Sequence, residues 1–394
     1  MAVADNDALP AGQASPDLLI AGAGVAGLWL AVKAARAGLS VMLVERGNPG
    51  GGASGGFLGA LMPHSPERWN GKKDFQFRAL IDLEAEIEQL ESETGEYCAY
   101  RRVGRILPLT TERSRATATD RIADARSNWG EQFGYAVHHT PARGDWPNIL
   151  HAPHGIVHET LSARVSPPAL LVALLSCLAR MPNLDLRLGV SVMDVNPQEK
   201  TARLSDGSRI GFGHAALASG VDAFPLISRL TGLPAHAMGS GVKGQAALLD
   251  AGADPLLPLV YDDGVYVIAH ENGHVAIGST SENEFDDPVS TDEKLDEIIK
   301  RARKLCPLIK DASVIRRWAG VRPRAVGRDP MLGPVPGAPG VLVMAGGFKI
   351  SFGIAHRMAD CLVAEITGEA GPETPQSFSV AAHIAKAARA QVLQ

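Results

Sequence analysis

Residues 18–45 read LLIAGAGVAGLWLAVKAARAGLSVMLVE, and this stretch decides the predicted fold. The apolar run Leu18–Ala21 predicts a buried strand, and Leu28–Ala37 predicts a helix that ends at Gly38. Leu39–Val44 then predicts a second strand with an apolar centre. A strand, a helix and a second strand in this order predict a βαβ unit, in which both strands belong to one parallel sheet.

Three glycines between the first strand and the helix have the spacing of a dinucleotide-binding turn. Gly22 permits the tight turn, Gly24 lets a pyrophosphate approach the backbone, and Gly27 lets the helix pack closely on the strand. The helix start offers free N–H groups and a positive dipole end to phosphates. Glu45 ends the second strand about twenty residues later, where a carboxylate accepts hydrogen bonds from an adenosine ribose. The unit therefore predicts a dinucleotide site, for either FAD or NAD.

A second glycine-rich segment distinguishes between these two dinucleotides. Residues 50–56 read GGGASGG, and residues 57–63 read FLGALMP. Small residues at this density let the backbone press against a flat ring, whereas a flexible linker stays polar and lacks the apolar residues that follow here. The segment favours a flavin over a nicotinamide dinucleotide.

Composition and charge argue against several classes of protein. The 394 residues, 45% of them hydrophobic, suffice for two packed domains or for one large domain with an inserted module. The net charge of -5 provides no basic field, so a nucleic-acid partner is not expected. The four cysteines lack the spacing of a zinc site, which predicts no metal and fits a reducing compartment.

The N-terminus is predicted to be a flexible leader over residues 1–15, without the basic and apolar regions of a signal peptide. The apolar run over residues 18–32 is short for a membrane span, and glycines interrupt it. We therefore expect a cytoplasmic enzyme without membrane association.

At the GAS segment, residues 52–54, the sequence resembles the D-amino-acid oxidase superfamily of flavoproteins, and within it the glycine oxidase and sarcosine oxidase branch. WAGVRP at residues 318–323 is similar to the WAGLRP of glycine oxidases. AGGFKISFG at residues 345–353 is similar to the flavin-facing loop of monomeric sarcosine oxidase. The other similar segments are a helix over 167–180, a strand over 186–195, a strand end at 216–220, a hairpin over 261–266 followed by 277–280, and DPMLGP at 329–334.

The resemblance implies an α/β fold with two domains. An FAD-binding, Rossmann-like domain of the glutathione reductase type is expected to combine residues 16–90, 161–235 and 321–375. An antiparallel-sheet substrate domain, drawn from residues 91–160 and 236–320, is expected to cover the flavin ring.

The resemblance also assigns a set of residues to FAD. Ala53 and Ser54 would touch the pyrophosphate, residues 58–60 would lie near the isoalloxazine ring, and Val192 would contact the adenine through its backbone. Sarcosine oxidases tether their flavin to a cysteine near the position of residues 321–322, where this chain has Val and Arg, so we expect FAD to bind non-covalently. The whole predicted set is Gly22, Gly24, Val25, Ala26, Gly27, Glu45, Arg46, Ala53, Ser54, Leu58, Gly59, Ala60, Val192, Gly220, Gly347, Phe348, Lys349, Ile350, Ser351 and Phe352.

Four residues are predicted to serve the substrate. An α-amino acid needs a cation for its carboxylate, and the planar fork of an arginine can bind one bidentately. Arg322, between an apolar turn and Pro323, is the first candidate, and a structural arginine paired with an acid is its alternative. Lys349 is the second cation, which serves either the substrate or the reduced flavin. Tyr261 and Tyr266 cap the substrate with their hydroxyls in one interpretation, and are core or rim tyrosines in the other.

The resemblance implies oxidation of the C–N bond of an amino acid or an N-substituted amino acid. The substrate amine would deliver a hydride to flavin N5 without an obligatory protein base, and the resulting imine would hydrolyse to an oxo acid. Dioxygen or another electron acceptor would reoxidise the flavin, which leaves oxidase and dehydrogenase both open. The substrate, its stereochemistry and the oligomeric state stay open as well.

Three alternatives remain at this point. Residues 52–55 and 59–63 also resemble the oxidoreductase half of the bifunctional enzyme that modifies wobble uridine in tRNA, which removes a carboxymethyl group from an aminomethyl uridine. The lack of a basic field argues against this substrate. A 2-hydroxy-acid dehydrogenase is the second alternative. A flavin-bearing binding module without turnover is the third, and the two cations expected at the ring argue against it.

Overall fold

The computed structural model describes residues 15–392, so the predicted leader lies outside the described residues except for its last residue. The strands in this range are β1 (Leu18–Ala21), β2 (Val41–Glu45), β3 (Ala60–Leu61), β4 (Arg105–Pro108), β5 (Tyr135–His138), β6 (Ile156–Glu159), β7 (Ala163–Arg164), β8 (Leu184–Leu188), β9 (Val192–Asn196), β10 (Thr201–Leu204), β11 (Arg209–Gly211), β12 (His214–Leu217), β13 (Gly239–Asp250), β14 (Leu259–Asp262), β15 (Val265–Ala269), β16 (His274–Gly278), β17 (Ser313–Ala325), β18 (Met331–Pro334) and β19 (Val341–Ala345). The α-helices are α1 (Val25–Arg36), α2 (Gly71–Thr94), α3 (Glu112–Trp129), α4 (Pro167–Leu178), α5 (Ala223–Leu230), α6 (Glu293–Leu305), α7 (Ser351–Thr367) and α8 (Val380–Val392). Short 3-10 helices cover Ala53–Gly55, Ile149–His151, Gly220–Asp222, Pro307–Ile309 and Gln376–Phe378.

A six-stranded sheet contains the predicted βαβ unit at its centre. Its strand order is β18–β19–β12–β1–β2–β8, and β1 pairs in parallel with both β12 and β2. Helices α1, α2, α4 and α7 cover one face, while α5, α8 and the small sheet β9–β11 cover the other. Strands that are buried on both faces need apolar residues at nearly every position, which explains the runs LLIA and VMLV. The predicted strand–helix–strand unit is confirmed.

An eight-stranded sheet has the order β17–β13–β16–β15–β14–β4–β6–β5. Its pairings are antiparallel except that between β4 and β14, which is parallel. One face packs on α6, and residues 57–60 lie on the opposite face. The predicted α/β class, with a parallel sheet and a largely antiparallel one, is confirmed.

The prediction of one strand over residues 186–195 is wrong. The chain leaves the six-stranded sheet after β8, turns at Gly189 with a φ of +75°, and enters the small sheet as β9. Because a glycine in this left-handed region breaks an extended strand, the two halves of the segment belong to different sheets. Val192 therefore begins β9 rather than continuing β8.

The division into two domains stays a prediction. Strand β17 belongs to the eight-stranded sheet along its whole length, from Ser313 to Ala325, and so passes through the predicted boundary after residue 320. None of the helices between residues 15 and 392 combines the length and the apolar character that crossing a membrane requires.

Candidate active site

Two adjoining clefts lie where the parallel strands end near the eight-stranded sheet. The first, called the large cleft, has a volume of about 780 Å³ and starts at the carboxyl ends of β1 and β2. The second, called the small cleft, has a volume of about 300 Å³ and lies between residues 56–64 and the eight-stranded sheet. Ala53, Phe348, Lys349 and Phe352 line both clefts, so the two adjoin at these residues.

The large cleft begins at the N-terminus of α1. Gly24 caps this helix with extended backbone, and a Cβ there would contact only the Ser54 hydroxyl, at 3.3 Å. That hydroxyl accepts a hydrogen bond from Val25 N at 3.0 Å. A helix start that opens into a cleft is a ready site for phosphate, since its N–H groups and its dipole favour negative charge.

The other two glycines of the motif act through packing. Gly22 has a φ of +102°, and a Cβ there would lie 2.6 Å from the Cα of Ser219. A Cβ on Gly27 would overlap the carbonyl oxygen of Gly22, so α1 could not lie this close to the turn. Gly27 is buried beneath the turn and lines neither cleft.

Glu45, at the carboxyl end of β2, borders the large cleft and holds two backbone groups. Its Oε2 accepts a hydrogen bond from Ala23 N at 2.8 Å, and its Oε1 accepts one from Gly47 N at 2.9 Å. A carboxylate has about four acceptor sites, so Glu45 keeps capacity for a ribose hydroxyl. Beside it, Arg46 pairs with Asp222 at 2.7 Å on the rim of the cleft.

Nearly all of the predicted cofactor residues line these clefts, with Gly27 as the exception. Those on the large cleft are Gly22, Gly24, Val25, Ala26, Glu45, Arg46, Ala53, Ser54, Val192, Gly220, Gly347, Phe348, Lys349, Ser351 and Phe352. Those on the small cleft alone are Leu58, Gly59, Ala60 and Ile350. The residues assigned to the pyrophosphate and the adenine thus lie on the large cleft, and residues 58–60, assigned to the ring, lie on the small one.

Residues 56–60 approach the eight-stranded sheet closely because glycines leave room for their neighbours. Gly59 has a φ of +61°, and a Cβ there would overlap the carbonyl oxygen of Val165. Cδ1 of Leu58 lies 3.1 Å from the point that a Cβ on Gly278 would occupy. Small residues thus let this backbone lie close to its neighbours on both sides, and its predicted approach to a flat ring stays a prediction.

Arg322 is buried in the wall of the small cleft, with 9% of its surface exposed. Its Nη1 donates to the Ser279 hydroxyl at 2.9 Å. Its Nη2 donates to the carbonyl oxygens of Thr280 at 2.6 Å and of Lys243 at 3.2 Å. These oxygens fix the guanidinium in one orientation. Because they are neutral, they do not compensate its positive charge.

The positive charge of Arg322 has no acidic partner among residues 15–392 within ion-pair distance. Glu282 is close enough to act on its pKa, but this carboxylate pairs with Lys294 at 2.8 Å instead. Burial lowers the pKa of Arg322 to about 10, against the opposing effects of Tyr266 and Glu282. The alternative interpretation, a structural arginine paired with an acid, would need an acidic partner, and none of the described residues provides one.

Lys349 and Arg322 flank the ring of Phe348 where the two clefts adjoin. Cζ of Arg322 lies 5.3 Å from the ring centroid, and Nζ of Lys349 lies 5.7 Å from it. Burial lowers the pKa of Lys349 to about 8, and the charge of Arg322 acts in the same direction. The predicted pair of cations is thus brought together at one point.

The two predicted tyrosines face each other on the hairpin β14–β15. Tyr261 and Tyr266 are register partners, their ring centroids are 4.8 Å apart, and both line the small cleft. Burial raises the pKa of Tyr266 to about 12, and the charges of Arg322 and Arg105 partly offset this effect. The Tyr266 phenol is therefore a neutral hydrogen-bonding group at ordinary pH.

Arg105 is a cleft residue that the sequence analysis did not single out. It lies on β4, opposite Glu159 of β6, and its Nε is 3.0 Å from the Glu159 Oε1. Only 8% of its surface is exposed, and it lines the small cleft. No local motif marks it, because its place depends on the register between strands that are distant in the sequence.

The comparisons with known proteins agree with this architecture. A family model for FAD-dependent oxidoreductases, named DAO, matches residues 17–361. The chain belongs to this family. It is 29% identical to a glycine oxidase of Pseudomonas aeruginosa, over 85% of this chain and 90% of that one. The predicted family, its enzymatic activity as an oxidoreductase and FAD as its cofactor are confirmed.

Solved structures support the fold of this DAO family member. The structure of glycine oxidase from Geobacillus kaustophilus is similar with a TM-score of 0.83 and 23% identity, over 93% of this chain and 98% of that one. An iminodiacetate oxidase from Chelativorans sp. BNC1 is similar with a TM-score of 0.78 and 24% identity, over 92% and 98%.

The residues of the large cleft fit the cofactor of the family. The space beside Gly24 at the start of α1 fits a pyrophosphate, because only the Ser54 hydroxyl approaches it and the first turn of the helix contains no acidic residue. Glu45 at the edge fits a ribose, because its oxygens are fixed by two N–H groups and can accept further hydrogen bonds. Which of these residues touches which part of FAD stays a prediction.

Proposed function

We propose that this FAD-dependent oxidoreductase oxidises the C–N bond of an amino acid or an N-substituted amino acid, and that Arg322 binds the substrate carboxylate. One observation supports the proposal most strongly. The Arg322 guanidinium lies in the wall of the small cleft, bound only by neutral oxygens, with no acid paired to it within the described residues. A buried, unpaired positive charge is costly, and an anionic ligand removes that cost.

The start of α1 and Glu45 hold the pyrophosphate and the ribose of FAD in this proposal, and Leu58, Gly59 and Ala60 hold its ring through their backbone. When bound, FAD supplies an acceptor for the hydride that leaves the carbon next to the nitrogen. None of the four cysteines lines either cleft, which supports non-covalent binding.

The chain's own residues bind and orient the substrate. Arg322 holds the carboxylate, and Lys349 adds a second positive charge at the same end of the cleft. The hydroxyls of Tyr261 and Tyr266 donate hydrogen bonds to the same group or to the substrate nitrogen. The side chains of Leu58 and Trp318 line part of the remaining wall. In this proposal they exclude water from the reacting carbon.

The relatives support a substrate of amino-acid type. The Pseudomonas aeruginosa relative is named for the oxidation of glycine, and the Chelativorans neighbour for the oxidation of iminodiacetate. We include in the proposal a cytoplasmic location and an acceptor, dioxygen or another, that takes electrons from the reduced flavin.

Anaerobic reduction of the bound flavin tests the proposal. Purified holoenzyme is mixed with amino acids, N-methyl amino acids and 2-hydroxy acids, and the flavin absorbance is followed. We expect an amino acid or an N-substituted amino acid to bleach the flavin. Bleaching by 2-hydroxy acids alone, or by none of these compounds, contradicts the proposal. Retention of tRNA on a filter at low salt would favour the tRNA substrate instead.

A further inference from the structure

We propose that the small cleft accepts substrates with a second carboxylate, and that Arg105 is the specificity residue that receives it. The inference rests on the proposed function and deepens it, because it names the class of amino acid. The first carboxylate binds at Arg322, and the second binds at the other end of the same cleft.

Arg105 has donors that nothing in the described part of the chain uses. Its side chain is only 10% exposed, yet it lines the small cleft. Its Nε forms an ion pair with Glu159 Oε1 at 3.0 Å, but it is buried without a well-aligned hydrogen bond, and neither Nη1 nor Nη2 has a hydrogen-bond partner among residues 15–392. A buried arginine with two free donors at a cleft wall is suited to an acceptor that arrives with the substrate.

Glu159, the partner of Arg105, is itself held in a fixed position by hydrogen bonds. This carboxylate is fully buried, and its Oε2 accepts hydrogen bonds from Leu161 N at 2.8 Å and from Ser162 N at 2.9 Å. Its Oε1 also accepts a hydrogen bond from the Ser162 hydroxyl. Glu159 does not line the cleft, so it orients the guanidinium from behind without occupying the space in front of it.

Arg105 and Arg322 both lie close enough to the hairpin with the two tyrosines for their charges to act on it. Arg105 is beside β14 in the sheet, because it is the register partner of Leu259, two residues before Tyr261 on the same face. Tyr261 is in turn the partner of Tyr266, whose phenol is influenced by the charges of both arginines. In the strand order of the eight-stranded sheet, β14 and β15 lie between β4, which carries Arg105, and β17, which carries Arg322.

The lining of the small cleft has one sign of charge. Its cations are Arg105, Arg322 and Lys349, and none of the described residues that line it is Asp or Glu. A site for one carboxylate needs one such cation and an apolar remainder. Arg105 is paired with Glu159 only from behind the cleft wall, so all three cations present positive charge to the cleft without an acid on its lining. This favours a ligand with two negative charges, because each carboxylate can form charge-assisted hydrogen bonds with a cation.

A binding experiment tests this inference without any turnover. FAD-loaded enzyme is titrated by calorimetry with the dicarboxylates malonate, succinate, glutarate and adipate, and with monocarboxylates of the same chain lengths. We expect one dicarboxylate to bind about 10-fold to 100-fold more tightly than its monocarboxylate, the range for one charge-assisted hydrogen bond. Arg105→Met should remove this difference, and Arg105→Lys should keep part of it. Equal affinity for both series, or a difference that survives in Arg105→Met, overturns the inference.

Matched substrates show where the second carboxylate lies. N-carboxymethylglycine is compared with N-methylglycine, and aspartate and glutamate are compared with asparagine and glutamine, by the rate of flavin reduction. A preference for N-carboxymethylglycine places the second carboxylate on the nitrogen substituent, and a preference for aspartate or glutamate places it on the side chain. Either preference, lost in Arg105→Met, supports the inference, and the absence of both overturns it.

Two further variants keep the result interpretable. Arg101→Met removes an arginine that pairs with Glu271 at 2.5 Å outside both clefts, and it should leave the preference for dicarboxylates intact. If Arg105→Met does not fold because Glu159 is left unpaired, Arg105→Met combined with Glu159→Gln removes both charges at once.

If dicarboxylates bind in the expected way while no amine bleaches the flavin, the proposed function fails and the dicarboxylate site stands. If glycine bleaches the flavin and dicarboxylates do not bind more tightly than monocarboxylates, the proposed function stands and the dicarboxylate site fails.

Discussion

The guanidinium carbon of Arg322 lies 2.6 Å from the point that a Cβ on Gly244 would occupy. Gly244 is on β13, where its register partner is Gly320 of β17, two residues before Arg322. Because β13 has no side chain at this point, the arginine can lie flat across the strand and reach the carbonyl oxygen of Lys243. The position of the proposed substrate-binding charge thus depends on a glycine in the neighbouring strand.

Gly244→Ala should therefore impair the handling of amino acids. The added methyl group would displace the guanidinium, and a displacement of about 1 Å in a positioning group can cost about 100-fold in rate. We expect kcat/KM for an amino-acid substrate to fall about 10-fold to 100-fold, while the FAD content stays unchanged. Gly144→Ala is the control, since a Cβ at Gly144 meets no atom within 4 Å. Equal activity of the two variants would mean that Arg322 is not the binding group.

The flavin should dissociate from the denatured protein. Cys98, Cys177, Cys306 and Cys361 are all buried, unpaired and absent from the lining of both clefts. Acid precipitation should leave a yellow supernatant that contains FAD, measured by absorbance and chromatography. Colour that stays with the pellet would indicate a covalent bond. Recovery of FMN would contradict the role assigned to Glu45, because FMN lacks the adenosine ribose that Glu45 is predicted to bind.

Glu45→Gln should weaken FAD binding by about 1–3 kcal/mol, the range for a hydrogen bond to a charged group. The amide keeps one oxygen that can accept from Ala23 N or from Gly47 N, so the turn should persist. The measurement is the Kd of FAD for the apoprotein, alongside its thermal unfolding. An unchanged Kd would mean that Glu45 does not reach the ribose.

The affinity for carboxylates should fall as the pH rises through about 8. Lys349 has its pKa lowered from 10.5 to about 8, so its ammonium is charged below that pH and progressively neutral above it. An anion gains from the charged form, so the Kd of a monocarboxylate should be constant at lower pH and increase above about 8, while Arg322 stays charged.

Two variants at Lys349 check that pH dependence. Lys349→Met should bind more weakly at neutral pH and lack the loss of affinity near pH 8, whereas Lys349→Arg should retain its affinity to higher pH. The measurement is the change in flavin absorbance during titration with a monocarboxylate. A loss of affinity near pH 8 that persists in Lys349→Met would assign the titration to another group.

Much of the fold could be predicted from the sequence because it depends on local patterns. The strand Leu18–Ala21, the glycines at 22, 24 and 27, and the acid at 45 are close together in the chain, and each has a function that its residue type makes plain. The same holds for the hairpin with Tyr261 and Tyr266, whose spacing puts both rings on one face.

The missed features depend on contacts between distant segments. Arg105 and Glu159 meet only through the register of β4 and β6, and no spacing in the sequence reveals that register. Likewise, the sequence of residues 186–195 does not show that Gly189 turns the chain into another sheet. Such positions are determined by tertiary packing, which overrides the local pattern.

The most direct test of the account compares Arg322→Ala with Arg317→Ala on two substrates. Arg317 is on the same strand, but it is exposed and pairs with Asp296 at 2.6 Å, so it controls for the loss of an arginine from β17. Removing the partner of a buried carboxylate costs about 2–5 kcal/mol, so kcat/KM for an amino acid should fall about 30-fold to a few thousand-fold in Arg322→Ala and little in Arg317→Ala. On an amine of similar size without a carboxylate, wild type should be slow and Arg322→Ala should lose almost nothing further. Equal losses on both substrates would contradict the account, because Arg322 would then support the flavin or the fold rather than the carboxylate.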